Sequence, residues 1–358
     1  MFEQKTLFAN NIAEYIKAIS EIQTENSKIR YNELINCMIR LQAYDGKIKN
    51  AKNDKELEET INKYIRFYTL FSSKQINNLK SDNTKNDDKF VHENQTDTFY
   101  RGVFRNTYSL LPGVYRKPYL GHESYLLHNV IARSPNNFNN KSHLDTLVTL
   151  QHYECPTRLL DITSNPLVAL YFACKDFTNG NKDPNNFGYV YVFLNPKQNL
   201  LYKDSDKSII VSCLSKFNAY EQKELYKACI NRIKKTKDIA AKFNEKNNGT
   251  IVEKLYHEIR SEVNFDKELY VIDILRNYFV QPDLTNNRIM RQSGAFIISG
   301  LSKDEKTNES KIKDMVYCKI EIHNQEEILK ELDKFGINEA TLFPELDRIT
   351  HYYKSKLK

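Results

Sequence analysis

The feature that most constrains this chain is a polar run enclosed by apolar segments. Residues 151–166 read Gln-His-Tyr-Glu-Cys-Pro-Thr-Arg-Leu-Leu-Asp-Ile-Thr-Ser-Asn-Pro, and residues 167–173 continue as an apolar stretch. Buried polar groups cost free energy unless they are hydrogen-bonded. A high density of hydrogen-bonding side chains beside core-forming segments therefore indicates a polar site on a rigid scaffold. Asn165 suits a helix N-cap and Pro166 the first helical position, which predicts a helix to about residue 175.

Length and composition indicate a folded protein with one large domain and an appendage. Of the 358 residues, 40% are hydrophobic and 28% are charged, which is typical of globular proteins. The net charge of +7 is compatible with a nucleic-acid partner, although a coding bias towards Lys and Asn explains it more simply.

The six cysteines include no Cys-x-x-Cys pair, which predicts a reduced compartment and no metal site. The N-terminus has no signal-peptide pattern, and no run reaches the ~18 apolar residues that span a bilayer. We therefore expect a cytoplasmic protein with no membrane partner.

The pattern of apolar residues predicts an α+β fold with helices inserted between strands. Apolar residues at three- and four-residue spacing predict helices over residues 1–80, and the polar run 81–89 is a natural boundary. We expect a helical module over 1–88, acting as a structural cap or as a regulatory, partner-binding element, and a second domain over 89–358. Strands are predicted at 98–103, 188–194, 269–275, 295–299 and 315–322. Helices are predicted at 123–133, 144–152, 216–262 and 328–335.

Three elements carry a family resemblance. They are Tyr100-Arg101-Gly102, the block at 151–173, and the stretch from 280 to 296, with a fourth match at 341–346. In this order they resemble the FRG-domain family, named for a Phe-Arg-Gly element, over about residues 97–350. The chain departs from the family pattern at Val103 (usually Gln), Glu154 (usually Gly) and Ile162 (usually Trp). The first departure can remove a ligand contact, and the second places a carboxylate where a flexible backbone is usual.

The resemblance implies a fold and an activity. The FRG family is similar to the ADP-ribosyltransferase fold, which has a split β-sheet core and divides NAD between nicotinamide and ribose. We therefore expect an ADP-ribosyltransferase that uses NAD as a substrate and no metal, and that modifies a macromolecule, with RNA or DNA slightly favoured over protein. The family further implies a bacterial toxin or phage-defence protein, held in check by an antitoxin or another inhibitory partner.

The resemblance also implies roles for particular residues. Arg101 would hold the phosphates and His152 would frame the nicotinamide, while Gln292 or Glu345 would stabilise the positive charge that develops on the ribose. Glu123 and Glu154 are further candidates for that carboxylate. The residues expected to contact the nucleotide are Tyr100, Arg101, Gly102, Tyr153, Thr157, Arg158, Asp161, Thr163, Asn165 and Gly294.

Simpler interpretations remain open at several of these positions. Arg158 and Asp161 can form a buried ion pair with each other, Arg101 can belong to a structural pair, and Asn165 can serve only as a cap. A basic stretch is a candidate nucleic-acid patch or a solvated helix face. Its members are Lys227, Arg232, Lys234, Lys235, Lys237 and Lys242. The chain has no phosphate-binding glycine loop, no His-Glu-x-x-His and no Gly-x-Ser-x-Gly. The alternative to an enzyme is a non-catalytic module that senses a nucleotide or binds nucleic acid.

Overall fold

A computed structural model describes residues 5–70, 96–105, 107–175, 187–243, 249–284 and 286–357. The strands are β1 (Lys5–Ala9), β2 (Thr96–Val103), β3 (Leu159–Thr163), β4 (Gly188–Pro196), β5 (Lys242–Phe243), β6 (Leu269–Tyr270), β7 (Tyr278–Val280), β8 (Gly294–Ile298) and β9 (Val316–Ile322). The helices of the first half are α1 (Ile12–Asn50), α2 (Asp54–Leu70), α3 (Glu123–Arg133), α4 (His143–His152) and α5 (Pro166–Cys174). The helices of the second half are α6 (Asp206–Cys213), α7 (Ala219–Thr236), α8 (Thr250–Arg260), α9 (Val271–Leu275), α10 (Asn287–Arg291), α11 (Glu305–Met315), α12 (Gln325–Lys334), α13 (Glu339–Leu342) and α14 (Leu346–Ser355).

A mixed sheet organises the fold. Seven strands pair in the order β1-β9-β4-β2-β3-β8-β7, and β5 and β6 form a separate two-stranded sheet. β1 runs parallel to β9, whereas the other neighbours in the large sheet are antiparallel. The α+β prediction is confirmed. Within this sheet β2 and β3 pair only through Tyr100 and Thr163, and the split core that the family resemblance implies stays a prediction.

The N-terminal segment contributes to this sheet. Residues 5–9 were expected to be helical, but they form β1, which extends the edge of β9. The edge of β9 offers backbone hydrogen-bonding groups, so pairing there outweighs local helix propensity. The helical prediction holds for α1 and α2. The boundary between residues 88 and 89 lies outside the described part of the chain and stays a prediction.

Helix α5 lies directly against β2 and β4 because two glycines allow a close approach. A Cβ atom on Gly102 would lie 1.8 Å from the carbonyl oxygen of Ala169, and a Cβ on Gly188 would lie 2.3 Å from that of Ala173. On this face of the sheet, α1, α5 and α12 enclose one apolar cluster. The glycine of the Tyr-Arg-Gly element is therefore fixed by packing between helix and sheet.

Most of the other predicted elements are confirmed, and their ends differ from the predicted ends by at most three residues. The clear exception is 269–275, expected to be a strand, where β6 covers two residues and α9 the rest. Every residue of α9 is buried, so tertiary packing decides its conformation over the strand preference of Val and Ile. The helical prediction for 216–262 is likewise interrupted by β5.

Candidate functional site

A pocket of about 550 Å³ opens where β2, β3 and β8 meet the end of α4 and the face of α5. It brings together residues that are far apart in the sequence. Of the expected site residues, it is lined by Tyr100, Arg101, Gly102, His152, Asp161, Thr163, Gln292 and Gly294. The three sequence elements that carried the resemblance therefore converge on one cavity.

Arg101 is held at the pocket by Asp161. Its Nη1 atom donates to the Asp161 backbone oxygen at 2.6 Å and lies 3.6 Å from the Asp161 carboxylate. Its Nε atom is buried and has no hydrogen-bond partner among the described residues. Alternation along β2 puts the Tyr100 ring in the apolar cluster on the opposite face of the sheet. Arg101 thus lines the cavity in a fixed position, with its Nε atom buried.

A chain of side-chain hydrogen bonds holds the Asp161 carboxylate of this pair in place. The Thr157 hydroxyl donates to Gln151 Oε1 at 2.7 Å. The Gln151 Nε2 atom in turn donates to both carboxylate oxygens of Asp161, at 3.3 and 3.2 Å. Thr157 is buried and does not line the pocket, so it acts on the site through Gln151. The conformation of the Asp161 carboxylate is therefore set by the central sequence block itself.

His152 and Glu345 form a second pair. His152 Nε2 lies 3.3 Å from Glu345 Oε1, and the Tyr153 ring meets the imidazole edge-on at 4.9 Å. His152 lines the pocket, whereas Glu345 and Tyr153 do not. Gln292 lines the pocket, and its Nε2 atom donates to the Leu342 carbonyl at 3.1 Å. Glu345 is thus placed to orient His152 and is not itself among the residues that line the pocket.

Arg158 faces the protein interior, away from the pocket. The expected pairing of Arg158 with Asp161 is wrong. Arg158 forms a bidentate ion pair with Glu123, in which the Nε–Oε1 distance is 3.0 Å and the Nη2–Oε2 distance is 2.5 Å. Both side chains are buried. The Glu123 carboxylate raises the pKa of Arg158 although desolvation opposes it. Glu123 is therefore committed to Arg158 and is no candidate for the reacting carboxylate.

The side chains of Thr163 and Asn165 form hydrogen bonds with backbone groups. The Thr163 hydroxyl donates to the Gln292 carbonyl at 2.6 Å and accepts from the Asn165 amide at 3.0 Å. The Asn165 side chain accepts from the first amides of α5, at 2.9 and 3.4 Å, so the cap prediction is confirmed. These contacts join β3 to the turn before β8, which shapes the floor of the pocket.

Among the residues that the structure describes, Asp161 and Glu154 are the ones with a carboxylate that line the pocket. Glu154 follows the end of α4 with a φ of 59°, in the left-handed region that favours glycine. Its side chain is 74% exposed and lies 3.7 Å from Arg348 of α14. The departure from the family glycine therefore imposes backbone strain and adds a contact to the C-terminal helix.

A comparison with known families agrees with this geometry. The family model described as FRG domain matches residues 96–182, from the first residue of β2 to beyond the end of α5. The chain contains an FRG domain. No curated protein and no solved structure matches the chain. The matched stretch of the FRG domain supplies Arg101, His152 and Asp161, while Gln292 and Glu345 lie beyond it.

Several cations around the FRG pocket were not among the expected site residues. Arg116, Lys175 and Arg288 all line the cavity. Arg116 is held by the Leu111 carbonyl, to which Nε and Nη2 donate at 2.9 and 2.6 Å. Burial lowers the pKa of Arg101, Asp161 opposes this, and the nearby Arg116 adds to the lowering. Only the position of Arg288 inside a matching motif could have marked it in advance, because Arg116 and Lys175 reach the pocket through folding.

The basic stretch lies apart from the FRG pocket, and none of its members lines the cavity. Two of its lysines are engaged in ion pairs, Lys227 with Glu224 at 2.8 Å and Lys242 with Glu268 at 2.6 Å. Arg232 donates to the Lys242 carbonyl at 2.8 Å. Its nucleic-acid role stays a prediction. Among the described helices, none combines the length and apolar character needed to cross a membrane.

Proposed function

We propose that the FRG domain binds NAD in this pocket and transfers its ADP-ribose to a macromolecule, with nucleic acid slightly favoured over protein. The observation that carries the proposal is Arg101, which is fixed on a strand beside the carboxylate of Asp161 and lines the same cavity as that carboxylate. A guanidinium fork suits the oxygens of a pyrophosphate. A carboxylate in the same cavity suits the positive ribose of the transition state.

The proposed reaction breaks the bond between ribose C1′ and the nicotinamide nitrogen. The nicotinamide ring is cationic in NAD, and it leaves as a neutral molecule with the bonding electron pair, so the positive charge moves to the ribose. Asp161 stabilises that charge more than it stabilises bound NAD, which lowers the barrier. Its carboxylate is preorganised by Gln151 and Arg101.

His152 is the proposed base for the transfer step. As the acceptor's hydroxyl or amine attacks C1′, its proton passes to the imidazole, and the acceptor is left joined to ADP-ribose. Glu345 lies 3.3 Å from His152 Nε2 and holds the ring in place. In this scheme Glu345 is a positioning residue, and Gln292 braces the pocket wall against the C-terminal segment.

The biological role follows from the family resemblance. A toxin or phage-defence protein that consumes NAD needs a partner or trigger that restrains it in its own cell. Helices α1 and α2 lie outside the stretch matched by the family model and are the proposed place for such control.

A sensing module is the second candidate. One observation favours it: the Asp161 carboxylate already accepts from Gln151 and lies beside Arg101, so its charge is compensated before any ligand enters. Such a pocket would bind a nucleotide and hold it unchanged.

The deciding experiment incubates the full chain with radiolabelled NAD and cell lysate, and measures released nicotinamide and label in macromolecules. We expect Asp161→Asn to lower nicotinamide release by roughly a hundredfold with little change in NAD affinity, because it removes a charge used in the transition state. Glu224→Gln, at an exposed ion pair, is the matched control. Nuclease and protease treatment of the labelled product then identifies the acceptor class.

Each outcome separates the candidates. Release that persists in Asp161→Asn and is lost in Glu345→Gln would assign the stabilising role to Glu345. NAD binding by the wild-type protein without any nicotinamide release would refute the enzyme and support the sensing module.

A further inference from the structure

Tyr108 presents a half-exposed aromatic ring to the pocket. It lies in the segment between β2 and α3, lines the cavity and is 48% exposed. A tyrosine side chain combines a large apolar face with a polar tip, and tyrosines are enriched where proteins meet their ligands and partners. The proposed function gives this ring no role so far.

Buried residues on both sides of Tyr108 fix the path of this segment. Phe104, before it, is 3% exposed, and Leu110 and Leu111, after it, are 0% and 7% exposed. The Leu111 carbonyl also accepts two hydrogen bonds from the Arg116 guanidinium, at 2.9 and 2.6 Å. Because its apolar neighbours are already packed, the Tyr108 ring is held at the cavity and a ligand that meets it pays little for ordering the chain.

The face of the Tyr108 ring is available for stacking. Within the part of the chain that the structure describes, no other ring stacks on it, no cation lies over it, and its hydroxyl makes no hydrogen bond. Two other rings of the cavity lining are already engaged, Phe172 edge-on with Phe343 at 6.1 Å and His152 edge-on with Tyr153 at 4.9 Å. The remaining aromatic residues of the lining are buried: Tyr100, Phe104 and Phe296.

Two arginines accompany this ring at the cavity. Arg101 approaches from β2 and Arg116 from the same segment as Tyr108, and both line the pocket. A guanidinium suits phosphate oxygens, and an exposed aromatic face suits a flat base. Proteins that bind single-stranded nucleic acids combine these two kinds of contact, with cations on the phosphates and aromatic rings on the bases. The surroundings of Tyr108 therefore suit a nucleotide.

We propose that Tyr108 forms a stacking subsite for the heteroaromatic ring of a nucleotide whose phosphates contact Arg101 and Arg116. The inference rests on the proposed function, because it names the part of the pocket that takes one ring of NAD. Adenine and nicotinamide are both flat and share this chemistry. His152 is the residue expected to frame the nicotinamide, so adenine is the ring that we expect at Tyr108.

The test measures the affinity of the full chain by calorimetry for ADP-ribose, which carries the adenine, and for nicotinamide mononucleotide, which carries the other ring. We expect Tyr108→Ala and Tyr108→Leu each to weaken ADP-ribose binding roughly tenfold, because base–aromatic stacking is lost. Tyr108→Phe keeps the ring and should bind as the wild type does. Tyr125→Ala is the matched control, since this tyrosine of α3 is 65% exposed and does not line the pocket.

Three results would overturn the subsite. They are no binding of either compound by the wild-type protein, unchanged affinity for both compounds in Tyr108→Ala, and an equal loss in Tyr108→Phe and Tyr108→Ala. A loss confined to nicotinamide mononucleotide would keep the stacking role and assign it to the nicotinamide half. Urea unfolding of each variant shows that a loss of affinity is not a loss of fold, and the leucine variant keeps the apolar bulk of the side chain.

The subsite and the enzyme can fail separately, because binding is measured without turnover. A protein that binds ADP-ribose through Tyr108 but releases no nicotinamide from NAD keeps the subsite and refutes the enzyme. A protein that releases nicotinamide with the same KM for NAD in wild type and Tyr108→Ala keeps the enzyme and refutes the subsite.

Discussion

Removing the charge of Glu123 should be among the most destabilising isosteric changes in this protein. The Glu123→Gln variant keeps the shape of the side chain, but it leaves the Arg158 guanidinium, 0% exposed, without its counter-ion. Opposite charges about 4 Å apart attract by about 4 kcal/mol at an effective dielectric constant near 20. Breaking one side of a buried pair costs about 3–5 kcal/mol, because the remaining charge stays desolvated. We expect a loss of that size in the free energy of unfolding.

The exposed pair of Glu224 with Lys227 isolates the effect of burial. Its nitrogen–oxygen distance of 2.8 Å lies between the two distances of the buried pair, but the side chains of Glu224 and Lys227 are 35% and 56% exposed. Glu224→Gln should therefore cost no more than about 1 kcal/mol. Replacing both buried partners, as in Glu123→Leu with Arg158→Met, should recover most of the loss, because no unpaired charge remains.

Urea unfolding followed by far-UV circular dichroism measures these differences, since the chain has no tryptophan to report by fluorescence. The reasoning fails if Glu123→Gln and Glu224→Gln lose the same small amount. It also fails if the double replacement is as unstable as Glu123→Gln, because the loss of stability would then come from altered packing and not from an unpaired charge.

Three further changes test other parts of the structure. Gly102→Ala should destabilise by roughly 3 kcal/mol or more, because its Cβ would meet the Ala169 carbonyl; near-wild-type urea stability would show that α5 does not pack as described. Glu154→Gly should stabilise by roughly 0.5–1 kcal/mol, since relief of a φ of 59° outweighs the exposed contact to Arg348; a lower unfolding midpoint would contradict this. Burial lowers the pKa of Lys311 to about 7, whereas the pKa of a lysine in an unfolded chain is about 10.4. Between these two pH values the unfolded state binds more protons than the folded state, so the free energy of unfolding should rise with pH across that window. Lys311→Met should flatten this rise in unfolding free energies measured from pH 7 to 10, and parallel curves would refute the assignment.

Local sequence signals predicted the elements that form the pocket. The end of β2 at the Tyr-Arg-Gly element, the helix α3 and the capped start of α5 at Asn165 and Pro166 all lie where the sequence places them. These features depend on hydrogen bonds and backbone preferences that involve only a few neighbouring residues, so the local sequence is enough to predict them. The convergence of Arg101, His152 and Gln292 on one cavity was implied by the family resemblance, and the structure brings these residues together.

The sequence by itself determined the α+β class, the central polar block and the family, because each depends on residue types at short spacing. Tertiary structure alone decided the partner of Arg158, which lies 35 residues earlier at Glu123, and the choice of Asp161 and Glu154 as the carboxylates that line the pocket. It also decided that residues 5–9 join the sheet and that Lys175 and Arg288 meet at Phe343. Each of these outcomes depends on contacts between residues far apart in the chain, and such contacts exist only after the core has packed.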